Sequence, residues 1–130
     1  MKDTNLVLAK ILNLAMQNGV RHWDLEFSDL KLEAEFETYF YPCVKWLEAE
    51  GMIRVGHYSR TMGGLANGSV DNIALTSLGM SVLGHEVEAV GKREALSETV
   101  QKVSEGKVDY NRIGDAIGGL IGGIIKATSS

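Results

Sequence analysis

The sequence predicts a mainly α-helical protein with a small β-hairpin, carrying a helical extension at its C-terminus. Three stretches predict it. Leu32, Phe36, Phe40, Cys43, Val44 and Leu47 recur at helical spacing, so a helix ending at Gly51 presents one apolar face. The period then changes: Met52, Arg54, Gly56 and Tyr58 alternate with Ile53, Val55 and His57, and Val70 to Leu75 forms a second β-prone run beyond a Gly/Asn/Ser-rich loop. Finally, Leu75-Thr76-Ser77-Leu78-Gly79-Met80 offers Thr76 or Ser77 as an N-cap and opens another helix.

In chain order, residues 4–18 read as an amphipathic helix. Asp3 or Thr4 caps it, Leu8, Ile11, Leu12, Ala15 and Met16 line its core face, and Gly19 ends it. Trp23, Leu25 and Phe27 alternate with His22, Asp24 and Glu26, which indicates a short strand. After Ser28 two readings stay open. The alternation continues to Phe36 as a hairpin would, while Leu32, Phe36, Tyr39 and Phe40 also share a helical face under a Ser28 cap. Pro42 lacks an N–H and fits the first turn of a helix, so one helix is expected to end near Phe40 and the next to start at Tyr41 or Pro42, unless a single helix kinks there.

Val44-x-x-Leu47-x-x-x-Gly51-Met52-Ile53, followed by Leu75-Thr76-x-x-Gly79-x-x-x-Leu83, resembles the second half of a winged helix-turn-helix domain. In that superfamily the pattern marks the recognition helix, the two-stranded wing and the start of the closing helix. The resemblance covers residues 4–84, and the small phage-associated YjcQ-like group is the subgroup it suggests. It favours the helical reading after Ser28 and divides the chain into a winged-helix domain, 1–84, and a helical extension, 85–130. Such leucine and glycine spacings speak for a fold more than for a function.

The resemblance implies a DNA-binding regulator. The expected contacts are Tyr41 and Lys45 on the outward side of the recognition helix and Arg54, His57 and Arg60 on the hairpin, since wing arginines can enter a minor groove. The same basic residues are also what ordinary exposed strands carry. The loop 59–69 lacks the Lys-Ser/Thr ending of a phosphate-binding loop and is assigned to the wing tip.

Charge pulls the other way. With 17 acidic against 13 basic residues the net charge is −4, which gives no global attraction to a polyanion. Six carboxylates and one lysine lie between Asp24 and Glu37, and Glu48 and Glu50 follow. Carboxylates beside a phosphate backbone oppose binding. A second hypothesis is therefore a winged helix turned to protein binding, with the acidic segment 24–37 as a docking surface for a basic partner.

At 130 residues, with an apolar fraction of 45%, the chain suits one domain with a real core. The single cysteine, Cys43, falls on the apolar face of the central helix and reads as a small buried hydrophobe. A reducing, cytoplasmic setting is expected, because Asp3, Asn5, Lys10 and Gln17 interrupt the N-terminal apolar residues that a signal peptide needs. His22, His57 and His85 show no metal-ligand spacing, and no nucleophile elbow or placed carboxylate pair is present. Neither catalysis, a metal nor a cofactor is expected.

Val87, Val90, Leu96, Val100 and Val103 give a narrow apolar seam, read as a helical segment over about 86–105 with a bend at Gly91. The C-terminus is unusual. Ile113, Ile117, Leu120, Ile121, Ile124 and Ile125 form an apolar stripe, with Gly114, Gly118 and Gly122 beside it at four-residue intervals and Gly119 and Gly123 as a shorter row. Small residues at that spacing let two helix backbones approach, so Ile113, Gly114, Ile117, Gly118, Ile121, Gly122 and Ile125 are the expected homo-oligomer contacts. Docking on the chain's own domain and association with a membrane remain alternatives. The stretch to Ala127 covers only about 21 Å and contains Asp115, too short and too polar to span a bilayer.

Overall fold

The computed structural model describes residues 2–61, 64–89 and 91–129, with side chains over 3–59, 68–89 and 91–123. Helix α1, Lys2–Asn18, buries Val7, Leu8, Ile11, Leu12 and Ala15, the face its period predicts. Gly19 ends it at φ +62, returning its N–H to the Ala15 carbonyl at 2.9 Å. Strand β1, Trp23–Glu26, follows.

Between β1 and the central helix the structure differs from the expected α-helix. Two 3-10 segments, Phe27–Leu30 and Ala34–Tyr39, stand there instead. The reasons are local. Asp29 turns its carboxylate back to the Glu26 N–H at 2.8 Å, and Lys31 adopts φ 55, which breaks any continuing helix. At the other end Pro42 offers no N–H to the Thr38 carbonyl, so α-helical bonding cannot run through this point. Helix α2, Phe40–Ala49, therefore starts with Pro42 in its first turn.

Strands β2, Ile53–Arg54, and β3, His57–Thr61, pair in succession along one edge of β4, Gly64–Leu75, while β1 pairs along its other edge. All pairings are antiparallel. The ribbon thus extends well into the stretch expected to be a loop, because a ladder uses main-chain groups that serine and glycine supply as well as valine. Near its middle, Asn72 has φ 54, Gly56 donates to the Asp71 carbonyl at 3.0 Å, and Asn72 N–H is held by the Asp24 carboxylate at 2.9 Å. This irregularity reverses which face each position takes: Val70 and Ile73 are both fully buried, although strict alternation would separate residues three apart.

Helix α3, Ser77–Gly84, is capped by Thr76, whose hydroxyl accepts from the Gly79 N–H at 2.9 Å. The same hydroxyl lies against the Gly51 carbonyl, and Gly51 itself turns at φ +85. Gly79 has no room for a side chain, since a Cβ would strike the Met52 carbonyl. The leucine and glycine pattern noted in the sequence is therefore a single packed junction.

The expected helical segment 86–105 is corrected in its first half. Glu86–Ala89 (β5) and Lys92–Ala95 (β6) form a two-stranded hairpin turning at Gly91, φ +73, and only Leu96–Ser104 (α4) is helical. Val87 is half-buried, and Val90 lies outside the described residues. Helix α5, Ile113–Ser129, closes the chain. Leu96, Val100, Val103, Ile113, Ile117 and Ile121 join α1, α2 and the sheet in one hydrophobic core that crosses residue 84. Buried Asn5 fastens the last connection to α1: its Oδ1 accepts from the Ile113 N–H at 2.9 Å, and its Nδ2 donates to the Tyr110 carbonyl.

Candidate nucleic-acid interface

Helix α2 and the ribbon carry the residues expected to meet DNA, and the structure separates them. Tyr41 is 1% exposed and donates to the Ser59 carbonyl at 3.3 Å, so it packs α2 onto β3 and is withdrawn from any ligand surface. The sequence put it outward because α2 buries almost every side but one, and the covering strand arrives from later in the chain. Lys45 is exposed, with its Nζ 4.3 Å from the centre of the Tyr58 ring. Tyr58 in turn donates to Glu48 Oε1 at 2.8 Å, and burial with the neighbouring Glu48 carboxylate raises its phenol well above the ordinary range.

Arg54 and His57 are exposed, and neither has an ion-pair or hydrogen-bonding side-chain partner among the described residues. Arg60 belongs to β3, but its side chain lies outside the described residues. Beside them, Asp71 accepts from Ser59 Oγ at 3.0 Å and Ser69 Oγ at 2.8 Å, a carboxylate committed to holding the ribbon. Lys45, Tyr58 and Glu48 thus form a cluster; the sequence marked Lys45 as a contact but did not join it to the other two. Its only signal was two opposite charges three residues apart on the predicted helix.

The acidic segment is divided too. All four of Asp24, Asp29, Glu33 and Glu35 are exposed, but Asp24 and Asp29 bind backbone N–H groups, whereas no side-chain hydrogen bond engages Glu33 or Glu35 among the described residues. In α5, Ile113 and Ile117 are fully buried and Ile121 is 7% exposed, all within the chain's own core. Gly118 and Gly122 are exposed, and a Cβ at either would meet nothing within 4 Å. Gly114 sits nearer the domain, 3.8 Å from Leu8 Cδ1 by the same measure, and the Ile125 side chain lies outside the described residues.

Among the described residues no group of three or more His, Cys, Asp or Glu side chains is placed to hold a metal, and no helix is long and apolar enough to cross a membrane. Cys43 is buried in α2, where desolvation pushes its thiol up to about 12. No family model, curated protein or solved structure matches the chain.

Proposed function

We propose that the chain is a winged-helix regulator that binds duplex DNA and self-associates through its C-terminal helix. What supports the fold reading is the second half of the order, α2, an antiparallel ribbon and a Thr76-capped helix in succession, while two 3-10 segments stand where the resemblance favours a helix. The observation that carries the DNA reading is the set Lys45, Arg54 and His57, exposed on α2 and the ribbon, with neither Arg54 nor His57 engaged by a side-chain partner among the described residues. Lys45 is steered by the Tyr58 ring. Cations on a helix and a wing suit phosphates on either side of a groove.

Salt titration against random duplex tests this reading. With Lys45 and Arg54 each releasing a counterion, log K should fall against log salt with a slope of about −1.8. Lys45→Ala or Arg54→Ala should flatten it by about 0.9 each. Absence of binding at about 50 mM salt rejects the proposal.

The protein-binding reading is favoured by one observation, the exposure of Glu33 and Glu35 in a chain of net charge −4. It predicts salt-sensitive capture of a lysine-rich peptide that Glu33→Gln with Glu35→Gln abolishes, and peptide binding unchanged in that variant rejects it. For self-association, Ile113, Ile117 and Ile121 are already used inside the protomer, and the exposed glycine row of Gly118 and Gly122 is the meeting face we assign. Sedimentation should give a mass above the 14.1 kDa of one chain, reduced to it by Gly122→Leu. Flotation with vesicles separates out the membrane-associating alternative: co-floating protein would move the tail's role to lipid.

A further inference from the structure

A groove of about 380 Å³ opens where α1, α2 and α5 meet, and nothing in the DNA reading uses it. Its walls include Leu8, Tyr39, Cys43 and Trp46, and Gly114 and Asp115 of α5 complete it. We propose that it binds a small organic cation with an apolar body, such as an arylalkylammonium.

The argument runs from size, then lining, then charge. A cavity of this volume is at the lower end of the range that takes small molecules, roughly 300–1,000 Å³. Two aromatic side chains, Tyr39 and Trp46, line it, a residue type whose π system attracts a cation and which adds apolar contact area. Leu8 is buried in the wall, and Cys43, held neutral by its raised thiol pKa, adds no charge. Gly114 places no side chain on the α5 wall, where a Cβ would rest in ordinary contact with Leu8 Cδ1 at 3.8 Å and a longer side chain would enter the groove.

Asp115 decides the sign of the ligand. It is exposed in the first turn of α5, and no hydrogen bond or ion pair engages it among the described residues, not even from Arg112 on the preceding turn. A bare helix N-terminus would favour an anion. Here the first free N–H is bound by Asn5, and the aspartate sets its own negative charge against the remaining ones. An ammonium entering the groove therefore meets an exposed carboxylate and two aromatic side chains among its walls. An anion of the same shape meets repulsion.

The test uses the full chain and three probes of one size: 2-phenylethylammonium, the neutral 2-phenylethanol and the anionic phenylacetate. The Trp46 indole resonance, assigned with Trp46→Phe, reports occupancy. Saturable shifts are expected with the ammonium, at least about tenfold weaker binding of the alcohol, and none of the anion; tenfold is the size of one charge-assisted contact. Asp115→Asn should bring the ammonium down to the alcohol's affinity while leaving the alcohol unchanged. Gly114→Leu should remove both, with an unchanged melting curve showing that the fold persists. No saturable shift with any probe at 10 mM overturns the site, and equal affinities for ammonium and alcohol, or an Asp115→Asn variant that binds the ammonium as before, overturn the assignment of a cation. These outcomes are independent of whether the protein binds DNA.

Discussion

Gly79→Ala is the sharpest perturbation of the junction that joins α2, the ribbon and α3. In an isolated helix this change is favourable by about 1 kcal/mol, because alanine loses less backbone freedom. Here the new Cβ would overlap the Met52 carbonyl oxygen and lie 3.1 Å from its carbon and 3.3 Å from Met52 Cα. Carbon atoms sit comfortably at about 3.5–4.0 Å, so α3 and the Gly51–Met52 turn must separate by roughly 1 Å. Thr76 spans that gap, bonded to the Gly51 and Met52 carbonyls and capping Gly79.

Overpacking of this kind costs about 1–3 kcal/mol, and weakening two hydrogen bonds adds about 1 kcal/mol each. Set against the propensity gain, a net loss of about 3 kcal/mol is expected. For a domain of this size that lowers Tm by roughly 10 °C. Gly84, in the same helix, has open space around its Cβ position and no positive φ, so Gly84→Ala should be neutral or stabilising by up to about 1 kcal/mol. Thermal and urea melts followed by circular dichroism read both variants. Gly79→Ala as stable as the parent, or the two variants moving together, would refute the close approach of α3 to Met52.

Three further outcomes follow from buried polar groups. Asn5→Ala leaves the Ile113 N–H and Tyr110 carbonyl without their partner, at a cost of about 2–3 kcal/mol, and hydrogen exchange over 113–121 should accelerate more than in β4; uniform exchange would contradict the latch. Glu94 is held below the usual carboxylate range by the Lys102 hydrogen bond at 2.6 Å and by Thr99 at 3.0 Å, against burial, which raises it. Its stabilisation is thus complete above the unfolded carboxylate pKa and lost as pH falls through the lower folded value, so Glu94→Gln should flatten the acid limb of a stability profile; parallel profiles would disprove it. Cys43, with its thiol at about 12, should react with iodoacetamide at pH 8 far more slowly in the native chain than in urea, and stability should decline above about pH 9, where only the unfolded thiol ionises; equal native and unfolded rates would contradict its burial.

How much was legible in the sequence depended on whether a residue's role was local. Gly19 and Gly51 end their helices and Thr76 begins its own, as their spacing indicates, whereas the second role of Thr76, bonding the Gly51 and Met52 carbonyls, is not local and was not legible. Residues 28–39 satisfied a two-residue and a helical period at once, and the choice fell to Asp29, Lys31 and Pro42, whose effects on the backbone outweigh hydrophobic pattern. The β5–β6 hairpin was hidden because Val87, Val90, Leu96, Val100 and Val103 fall near helical spacing, while the hairpin depends on Gly91 taking a left-handed φ. Among the site residues, Lys45, Arg54 and His57 are exposed as read, but Tyr41 needed knowledge of a strand 18 residues away. The groove drew walls from α1, α2 and α5, and no sequence window contains all three.

The glycine row remains the feature for which the protomer alone supplies no reason. Burial of Ile113, Ile117 and Ile121 against the core explains why α5 is a helix at all, since each such side chain contributes about 1.5–3 kcal/mol. It does not explain Gly118, Gly119, Gly122 and Gly123, around which a Cβ would meet nothing. At each of these positions alanine would strengthen the helix by about 1 kcal/mol. Gly118→Ala with Gly122→Ala therefore has two distinguishable outcomes. If the outward face is free, the double variant gains up to about 2 kcal/mol with no change of mass in sedimentation. If a second copy packs its backbone there, two methyl groups hold the helices apart, and the assembly weakens even as the dilute protomer melts at a higher temperature. The proposed self-association requires the second pattern, and a more stable variant whose mass at every concentration equals the parent's would remove it.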